Sequence, residues 1–122
     1  MQSHNTRETI CAPATAPGQA AISVIRLSGP QAIDIAREIF FARNPAVVIS
    51  QAESYRLFLG EIREENRVLD EVMLVKFQAP HSYTGEDVVE ISCHGSPFIV
   101  EQIIRLCMSK GARMARPGEF TM

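Results

Sequence analysis

The chain has 122 residues, which suits one domain with one hydrophobic core, so we expect residues 1–122 to form a single domain. Its 46% hydrophobic and 21% charged residues are typical of a soluble globular protein, and a formal net charge of −2 argues against a surface that grips a nucleic-acid backbone by itself. No apolar run approaches the roughly 20 residues of a membrane span, and no secretory signal is apparent. The separated cysteines Cys11, Cys93 and Cys107 form no CxxC motif. They favour a reducing, cytoplasmic location over a disulfide framework or a zinc site.

The first half of the chain predicts two strands and a helix. Residues 9–14 are a short apolar run, and Pro17-Gly18 marks a turn. Residues 20–27 predict a strand, because Ile, Val and Leu favour pleated packing. A helix is predicted to start at residues 28–30 and to run to about Phe41, followed by a weakly patterned connector over residues 42–54.

The second half predicts a hairpin, a further strand and a second helix. Residues 55–62 and 68–77 are expected to pair around the charged loop 63–67, with the second strand inside the sheet. After a loop at 79–85 and a strand through Glu90, Ser96 is a good N-cap for a helix that ends near Lys110. A short strand at 112–115 and a turn at 116–121 follow. This irregular order predicts an α+β fold, an α/β sandwich with a mixed β-sheet and two main helices on one or both faces.

The segment 83–97 is the most informative part of the sequence. Along its strand, Asp87, Val89, Ile91 and Cys93 point to one face and Val88, Glu90, Ser92 and His94 to the other. The first set is mostly apolar and predicts a core face. The second set places Glu90, Ser92 and His94 in a row that ends at a glycine opening a helix, which is a typical position for a ligand site.

Arg26 and Glu90 each lie among apolar residues on a predicted strand. One interpretation is structural: they are strand-end charges reaching water, or an ion pair. The other is functional: a carboxylate offers two acceptors to a ligand edge with two parallel N–H donors, such as the 2-amino-4-oxo edge of a pterin or guanine. An arginine offers a fixed set of donors to a carbonyl or carboxylate.

Two other motifs bear on catalysis. Cys93 and His94 are adjacent, so their side chains should point to opposite faces, and a thiol nucleophile activated by this histidine is not expected. His94 is either a ligand contact or a satisfied buried histidine. The sequence has neither G-x-x-x-x-G-K-[ST] nor G-x-G-x-x-G after a strand, so it contains no recognisable nucleoside-triphosphate site.

Several motifs in fixed order resemble a known family. They are Thr9-Ile10 with Ala14-Thr15-Ala16-Pro17-Gly18, Val24-Ile25-Arg26-Leu27-Ser28-Gly29, Leu69-Asp70-Glu71, the run from Ala79 to Glu90, Cys93-His94-Gly95, and Ala115-Arg116-Pro117-Gly118-Glu119-Phe120-Thr121. Together they resemble the N-terminal, tetrahydrofolate-binding domain of the tRNA-modification GTPases called MnmE or TrmE. The resemblance runs from about Thr9 to the end of the chain.

This resemblance implies a fold similar to the folate-binding domain of glycine-cleavage aminomethyltransferases, homodimerisation, and binding of 5-formyl- or 5,10-methylene-tetrahydrofolate. It places the folate contacts on Arg26 and Glu90, to which we add His94 as a candidate contact; no catalytic residue and no metal ligand is expected. The helical and G domains of the full-length family, with their GTP, magnesium and potassium, are expected to lie outside this chain. With the flavoprotein MnmG (GidA), the full-length family modifies wobble uridine in tRNA at carbon 5.

The chain departs from the family pattern at a few positions. Ala20, Ala21 and Ser23 stand where glycines are usual, and Ser96 replaces the second glycine after the histidine. A further folate-contacting lysine of the family would lie beyond Met122. Two alternatives to the folate interpretation are a dimerisation scaffold without a ligand and a free-standing folate-dependent one-carbon transferase. A chain that ends at Met122, directly after the predicted helix cap Thr121, is expected to be a fragment, which argues against the transferase.

Overall fold

Seven strands and two α-helices make up the part of the chain that the computed structural model describes, residues 8–14, 21–79 and 86–119. The elements in chain order are β1 (Ile10–Pro13), β2 (Ile22–Ser28), α1 (Ala32–Ile39), β3 (Phe40–Ala42), β4 (Leu57–Glu64), β5 (Arg67–Phe77), β6 (Val88–His94), α2 (Pro97–Ser109) and β7 (Arg113–Met114). A single 3₁₀ turn, Ile49–Gln51, lies between β3 and β4. The predicted turn at Pro17-Gly18 and the loop at residues 80–85 lie outside the described residues.

The strands form one mixed sheet in the order β3-β4-β5-β6-β2-β1-β7. All neighbouring pairs are antiparallel except β1 and β7, which are parallel. The prediction of an α+β fold with a mixed sheet and two helices is therefore confirmed. The expectation that β5 is internal is confirmed too, because it pairs with β4 on one side and β6 on the other.

Both helices pack on one face of the sheet and enclose a single hydrophobic core with it. On β6 the predicted core residues Val89, Ile91 and Cys93 are buried in the core cluster, while Glu90, Ser92 and His94 are not buried. Val88, predicted on the face of Glu90, is also buried, at 5% exposure, but lies outside that cluster. The alternation predicted from the sequence is therefore confirmed. In the described part of the chain, neither helix is long and apolar enough to cross a membrane.

The predicted first helix was too long at both ends. It begins at Ala32, because Gly29 has φ +140° and cannot be helical, and it ends at Ile39. Phe40 is already extended and pairs with Ile62 at the sheet edge. Aromatic residues favour a pleated, half-buried surface. Pairing with β4 therefore outweighs the helical periodicity of the sequence at Phe40.

The hairpin is tighter than the sequence indicated. The loop expected over 63–67 contracts to Glu65 and Asn66, because Glu64 still pairs with Arg67. Glu65 adopts φ +57°, a left-handed conformation that this two-residue connection requires. An irregularity in register between Ile62 and Arg63 accompanies the turn.

The second helix begins and ends as its capping residues predict. The Oγ of Ser96 accepts a hydrogen bond from the Ile99 amide at 3.4 Å, and Pro97 is the first helical residue. Gly111, at φ +117°, terminates the last turn. The short strand expected after it is β7, which confirms that prediction.

A buried lysine was not anticipated from the sequence. Lys76 on β5 is 1% exposed, and its Nζ donates to the Gln78 side-chain oxygen at 3.0 Å and lies 3.5 Å from the Ser50 carbonyl oxygen. Burial lowers the pKa of Lys76, an effect that the nearby Asp87 carboxylate partly opposes. The 3₁₀ turn containing Ser50 thus closes over the amine.

An ion-pair network holds the described end of the chain against β7. The Nη2 of Arg113 donates to Glu119 at 2.6 Å, and its Nε donates to Glu8 at 2.9 Å. Glu119 also accepts a hydrogen bond from the Arg116 amide at 2.6 Å. These bonds, that from Arg113 first, lower the pKa of Glu119 from 4.5 to about 2.

We predict that Glu119→Gln lowers the unfolding temperature at neutral pH, and that the difference from the parent shrinks in acid. Because the folded-state pKa is depressed, the carboxylate's contribution to stability is present above 4.5 and is lost as the pH falls towards about 2. Thermal unfolding followed by circular dichroism across that range checks this. Glu101→Gln, which breaks an exposed helix pair with Arg105, is the control and should have little effect at any pH. A Glu119→Gln deficit that persists unchanged at the acid end would contradict the prediction.

A candidate ligand site on the outer face of the sheet

The face of the sheet opposite the helices, here called the outer face, carries the site residues predicted from the sequence. Cross-strand register places residues of four adjacent strands on it: Leu57 and Leu59 of β4, Met73 and Val75 of β5, Glu90, Ser92 and His94 of β6, and Ile22, Val24 and Arg26 of β2. Among the described residues no helix packs on this face. Ile22, Leu57 and Leu59 are 52%, 53% and 44% exposed, so the face offers apolar surface beside a few charged groups.

Arg26 and Glu90 are directly opposite each other on β2 and β6. The Nη2 of Arg26 lies 2.6 Å from Glu90 Oε2, and its Nε donates to the same oxygen at 2.8 Å. Both side chains are 27% exposed. The geometry therefore contains the ion pair of the structural interpretation, and it also leaves both groups accessible from the outer face. The arginine fixes the orientation of the carboxylate through one of its two oxygens.

His94 lies at the end of the same row and has a partner that was not predicted from the sequence. Its backbone amide donates to Asp70 Oδ2 at 2.8 Å, and its Nδ1 lies 2.7 Å from Asp70 Oδ1. The histidine side chain is 69% exposed, whereas the Asp70 side chain is 8% exposed. The only sequence signal for Asp70 was its place in the Leu69-Asp70-Glu71 motif, which does not indicate a contact with β6.

An open cleft of about 240 Å³ lies at the His94 end of the outer face. Its lining includes His94, Ser92, Met73, Leu59 and Ile22, with Arg43 and Glu71. Arg26 and Glu90 do not line this cleft; Glu90 lies two residues before Ser92 on β6, and Arg26 is opposite it on β2. At about 3.3 Å per residue, Glu90 and His94 are about 13 Å apart along the strand. The structure thus joins Arg26 to Glu90 and sets His94 apart from both.

The cysteine thiols are not suited to chemistry at this site, although Cys93 is one of the residues that line the cleft. Cys93 is buried on the helix-covered face, away from the exposed His94 imidazole, as the alternation predicted. Burial first, and the Asp70 charge second, raise the pKa of the Cys93 thiol to about 11. Burial also raises the pKa of Cys11 to about 11 and of Cys107 to about 12. Thiols this hard to ionise are poor nucleophiles at neutral pH.

Metal coordination is not suggested by the described residues, since residues 8–14, 21–79 and 86–119 contain no group of three or more His, Cys, Asp and Glu side chains that could hold a metal ion.

Comparison with known proteins gives consistent matches over nearly the whole chain. The family model described as "GTP-binding protein TrmE N-terminus" matches residues 9–122. The chain is 52% identical over 118 residues to the tRNA modification GTPase MnmE of Cytophaga hutchinsonii, covering 97% of this chain and 25% of that protein. It is 49% identical over 115 residues to MnmE of Bacteroides thetaiotaomicron and 47% identical over 114 residues to MnmE of Listeria innocua, covering 94% and 93% of this chain and 24% of each relative.

The chain therefore spans about a quarter of the length of these relatives. The match begins at the residues that form β1 and extends through every element described above. The three relatives come from different organisms, and each match covers more than nine-tenths of this chain. The chain belongs to the family of the N-terminal domain of the GTP-binding protein TrmE, the tRNA modification GTPase MnmE.

Proposed function

We propose that this chain is the folate-binding and dimerising domain of a cytoplasmic tRNA-modification GTPase. Residues 1–122 would form one domain that binds 5-formyl- or 5,10-methylene-tetrahydrofolate. In the full-length protein, which would also bind GTP, magnesium and potassium, the folate would support C5 modification of the wobble uridine of tRNA, together with the flavoprotein MnmG (GidA). The observation that carries the proposal is the accessible Arg26–Glu90 pair on the open sheet face of a chain that belongs to this family.

The chemistry of the pair supports a reduced pterin as the ligand. A carboxylate can accept two N–H donors from the aminopyrimidinone edge, and charge-assisted bonds of this kind are worth about 1.5–3 kcal/mol each. Arg26 already holds Glu90 Oε2 at 2.6 Å, so the carboxylate need not be ordered when the ligand binds. Met73 and Val75 on the neighbouring strand offer apolar surface to the face of a ring.

A scaffold without a ligand is the second candidate, and one specific observation favours it. The charges of Arg26 and Glu90 already compensate each other within the chain, at 2.8 and 2.6 Å, as in a structural ion pair. Calorimetric titration of the chain with 5-formyltetrahydrofolate separates the two candidates. Saturable binding of one ligand per chain supports the folate proposal. If millimolar ligand gives no heat of binding and no change in unfolding temperature, the result supports the scaffold without a ligand.

We predict that the chain is a homodimer in solution through its outer face. Leu57 and Leu59 on β4 are 53% and 44% exposed, and burying such residues against a second copy is favourable at roughly 25 cal/mol per Å². Light scattering at tens of micromolar should give twice the 13.5 kDa mass of one chain. Leu57→Asp should weaken the dimer at least roughly tenfold, because a carboxylate would be desolvated in the interface.

The matched control for this prediction is Phe98→Asp, which alters an exposed apolar residue on α2, away from the outer face; Phe98 is 65% exposed. This variant should remain dimeric. A parent of 13.5 kDa only, or equal effects of the two variants, would count against dimerisation through the outer face.

We also predict that the chain by itself neither binds nor hydrolyses GTP. The sequence contains no G-x-x-x-x-G-K-[ST] motif, whose backbone amides and lysine would hold the phosphates. A phosphate-release assay with GTP and Mg²⁺ should stay at the level of the protein-free blank. Turnover above that level, retained through a further purification step, would refute the prediction.

A further inference from the structure

The bonds between Asp70 and His94 determine the position of the imidazole ring and also which ring nitrogen carries the proton. The Asp70 side chain is 8% exposed, and both of its oxygens are used by one residue. Oδ2 accepts the His94 backbone amide at 2.8 Å, and Oδ1 lies 2.7 Å from Nδ1. An ionised carboxylate only accepts hydrogen bonds, so opposite an ionised Asp70 the Nδ1 of His94 is the donor in the second bond.

The proton on Nδ1 fixes the chemistry of the other ring nitrogen. In a neutral imidazole one nitrogen is a donor and the other an acceptor, and the bond made by the first decides the role of the second. With Nδ1–H directed to Asp70, Nε2 carries the lone pair. Within the described residues nothing bonds to Nε2, and the His94 side chain is 69% exposed where it lines the cleft.

We propose that Asp70 is a positioning residue that holds His94 with its proton on Nδ1, so that Nε2 accepts a hydrogen bond from an N–H or O–H group of a ligand on the outer face. The identity of that ligand rests on the proposed folate function. Glu90 and His94 are about 13 Å apart along β6, so a ligand that contacts both is elongated. A pterin joined to benzoylglutamate meets this requirement, with the benzoylglutamate amide N–H as the donor to His94.

The first arm of the test measures the tautomer directly. Nitrogen NMR of the chain labelled with ¹⁵N-histidine, at a pH at which the imidazole is neutral, distinguishes a protonated from an unprotonated ring nitrogen. A His94→Ala variant assigns the signals, since His4 and His81 also contribute. We expect a protonated Nδ1 and an unprotonated Nε2 at His94. In Asp70→Asn the signals should move towards the opposite tautomer, because the amide can turn an N–H towards Nδ1.

The second arm measures 5-formyltetrahydrofolate affinity by calorimetry. One lost hydrogen bond predicts that Asp70→Asn and His94→Ala each weaken binding about threefold to tenfold. Asp34→Asn is the matched control, because it removes the same charge from an exposed position on α1 and should bind like the parent. The parent spectrum and the His94→Ala titration remain informative even where Asp70→Asn does not fold.

The outcomes separate this inference from the folate proposal. A parent His94 with its proton on Nε2, or an Asp70→Asn tautomer identical to the parent, would overturn the positioning role. The expected tautomer with unchanged folate affinity in both variants would overturn the assignment of Nε2 to the ligand. A parent that binds no folate would refute the folate function and the folate assignment, while the tautomer spectra would still decide the role of Asp70.

Discussion

Glu90→Gln should weaken binding of 5-formyltetrahydrofolate by roughly ten- to a hundredfold, because about 1.4 kcal/mol corresponds to one decade of affinity. The substitution keeps the size of the side chain but exchanges one acceptor oxygen for an NH₂ donor. That donor would face either a ligand N–H or the Arg26 guanidinium, which in the parent lies 2.6 Å from Glu90 Oε2. Calorimetry on protein shown to be folded by circular dichroism measures the loss. Arg26→Ala should also weaken binding, since the carboxylate loses its fixed orientation and the apolar stem of the arginine is removed.

Glu61→Gln is the matched control for Glu90→Gln. Glu61 also lies on a strand of this sheet and accepts a hydrogen bond from an arginine, Arg63 Nε at 2.9 Å, with a similar side-chain exposure of 32%. Glu61 is on β4, two strands from β6, and is opposite Glu71 of β5, whereas Glu90 is opposite Val75 of the same strand. Its loss should therefore leave folate affinity unchanged. Equal affinities for the parent and a well-folded Glu90→Gln would mean that the carboxylate is structural and that the site lies elsewhere.

Gly29→Ala should destabilise the chain by about 3 kcal/mol or more, for two reasons that act together. Gly29 has φ +140°, which an L side chain rarely adopts. A Cβ at this position would lie 2.6 Å from the Thr9 Cα and 2.8 Å from the Glu8 carbonyl oxygen, so backbone would have to move. The same segment ties α1 to the sheet, because the Gln31 amide donates to Thr9 Oγ1 at 2.8 Å and the Gly29 amide to the Asp87 carbonyl oxygen at 2.9 Å.

Gly111→Ala separates the two causes of this destabilisation. Gly111 also has a positive φ, +117°, but a Cβ added there would meet only the end of the Gln31 side chain, at 3.3 Å. This variant should lose about 1–3 kcal/mol from backbone conformation alone. Urea unfolding of both variants gives the comparison. A Gly29→Ala variant as stable as the parent would show that β1 and the start of α1 can move apart without cost.

The features that the sequence determined are those fixed by neighbours along the chain. Alternation on β6 predicted that Val89 and Ile91 face the core and that Glu90 faces away, because side chains of a strand alternate whatever lies beside it. Ser96 and Gly111 predicted the limits of α2, since capping depends on local backbone and side-chain geometry. The ordered motifs also carried the family assignment.

Only the tertiary structure decided the features that depend on pairing distant segments. Arg26 and Glu90, 64 positions apart, meet because β2 and β6 are neighbours in one register, and a shift of one residue would send them to opposite faces. Phe40 is extended and not helical because it pairs with β4. Lys76 is buried because the 3₁₀ turn that contains Ser50 packs over β5, a contact that the sequence alone does not indicate. Asp70 and His94 are 24 positions apart in the sequence, and both lie beyond Met73 and Ser92, the last paired residues at this end of β5 and β6. No periodicity in either strand indicates that they are in contact. Register and packing are set by the burial of the whole apolar surface, so the partners of Glu90 and His94 become visible only once the sheet is assembled.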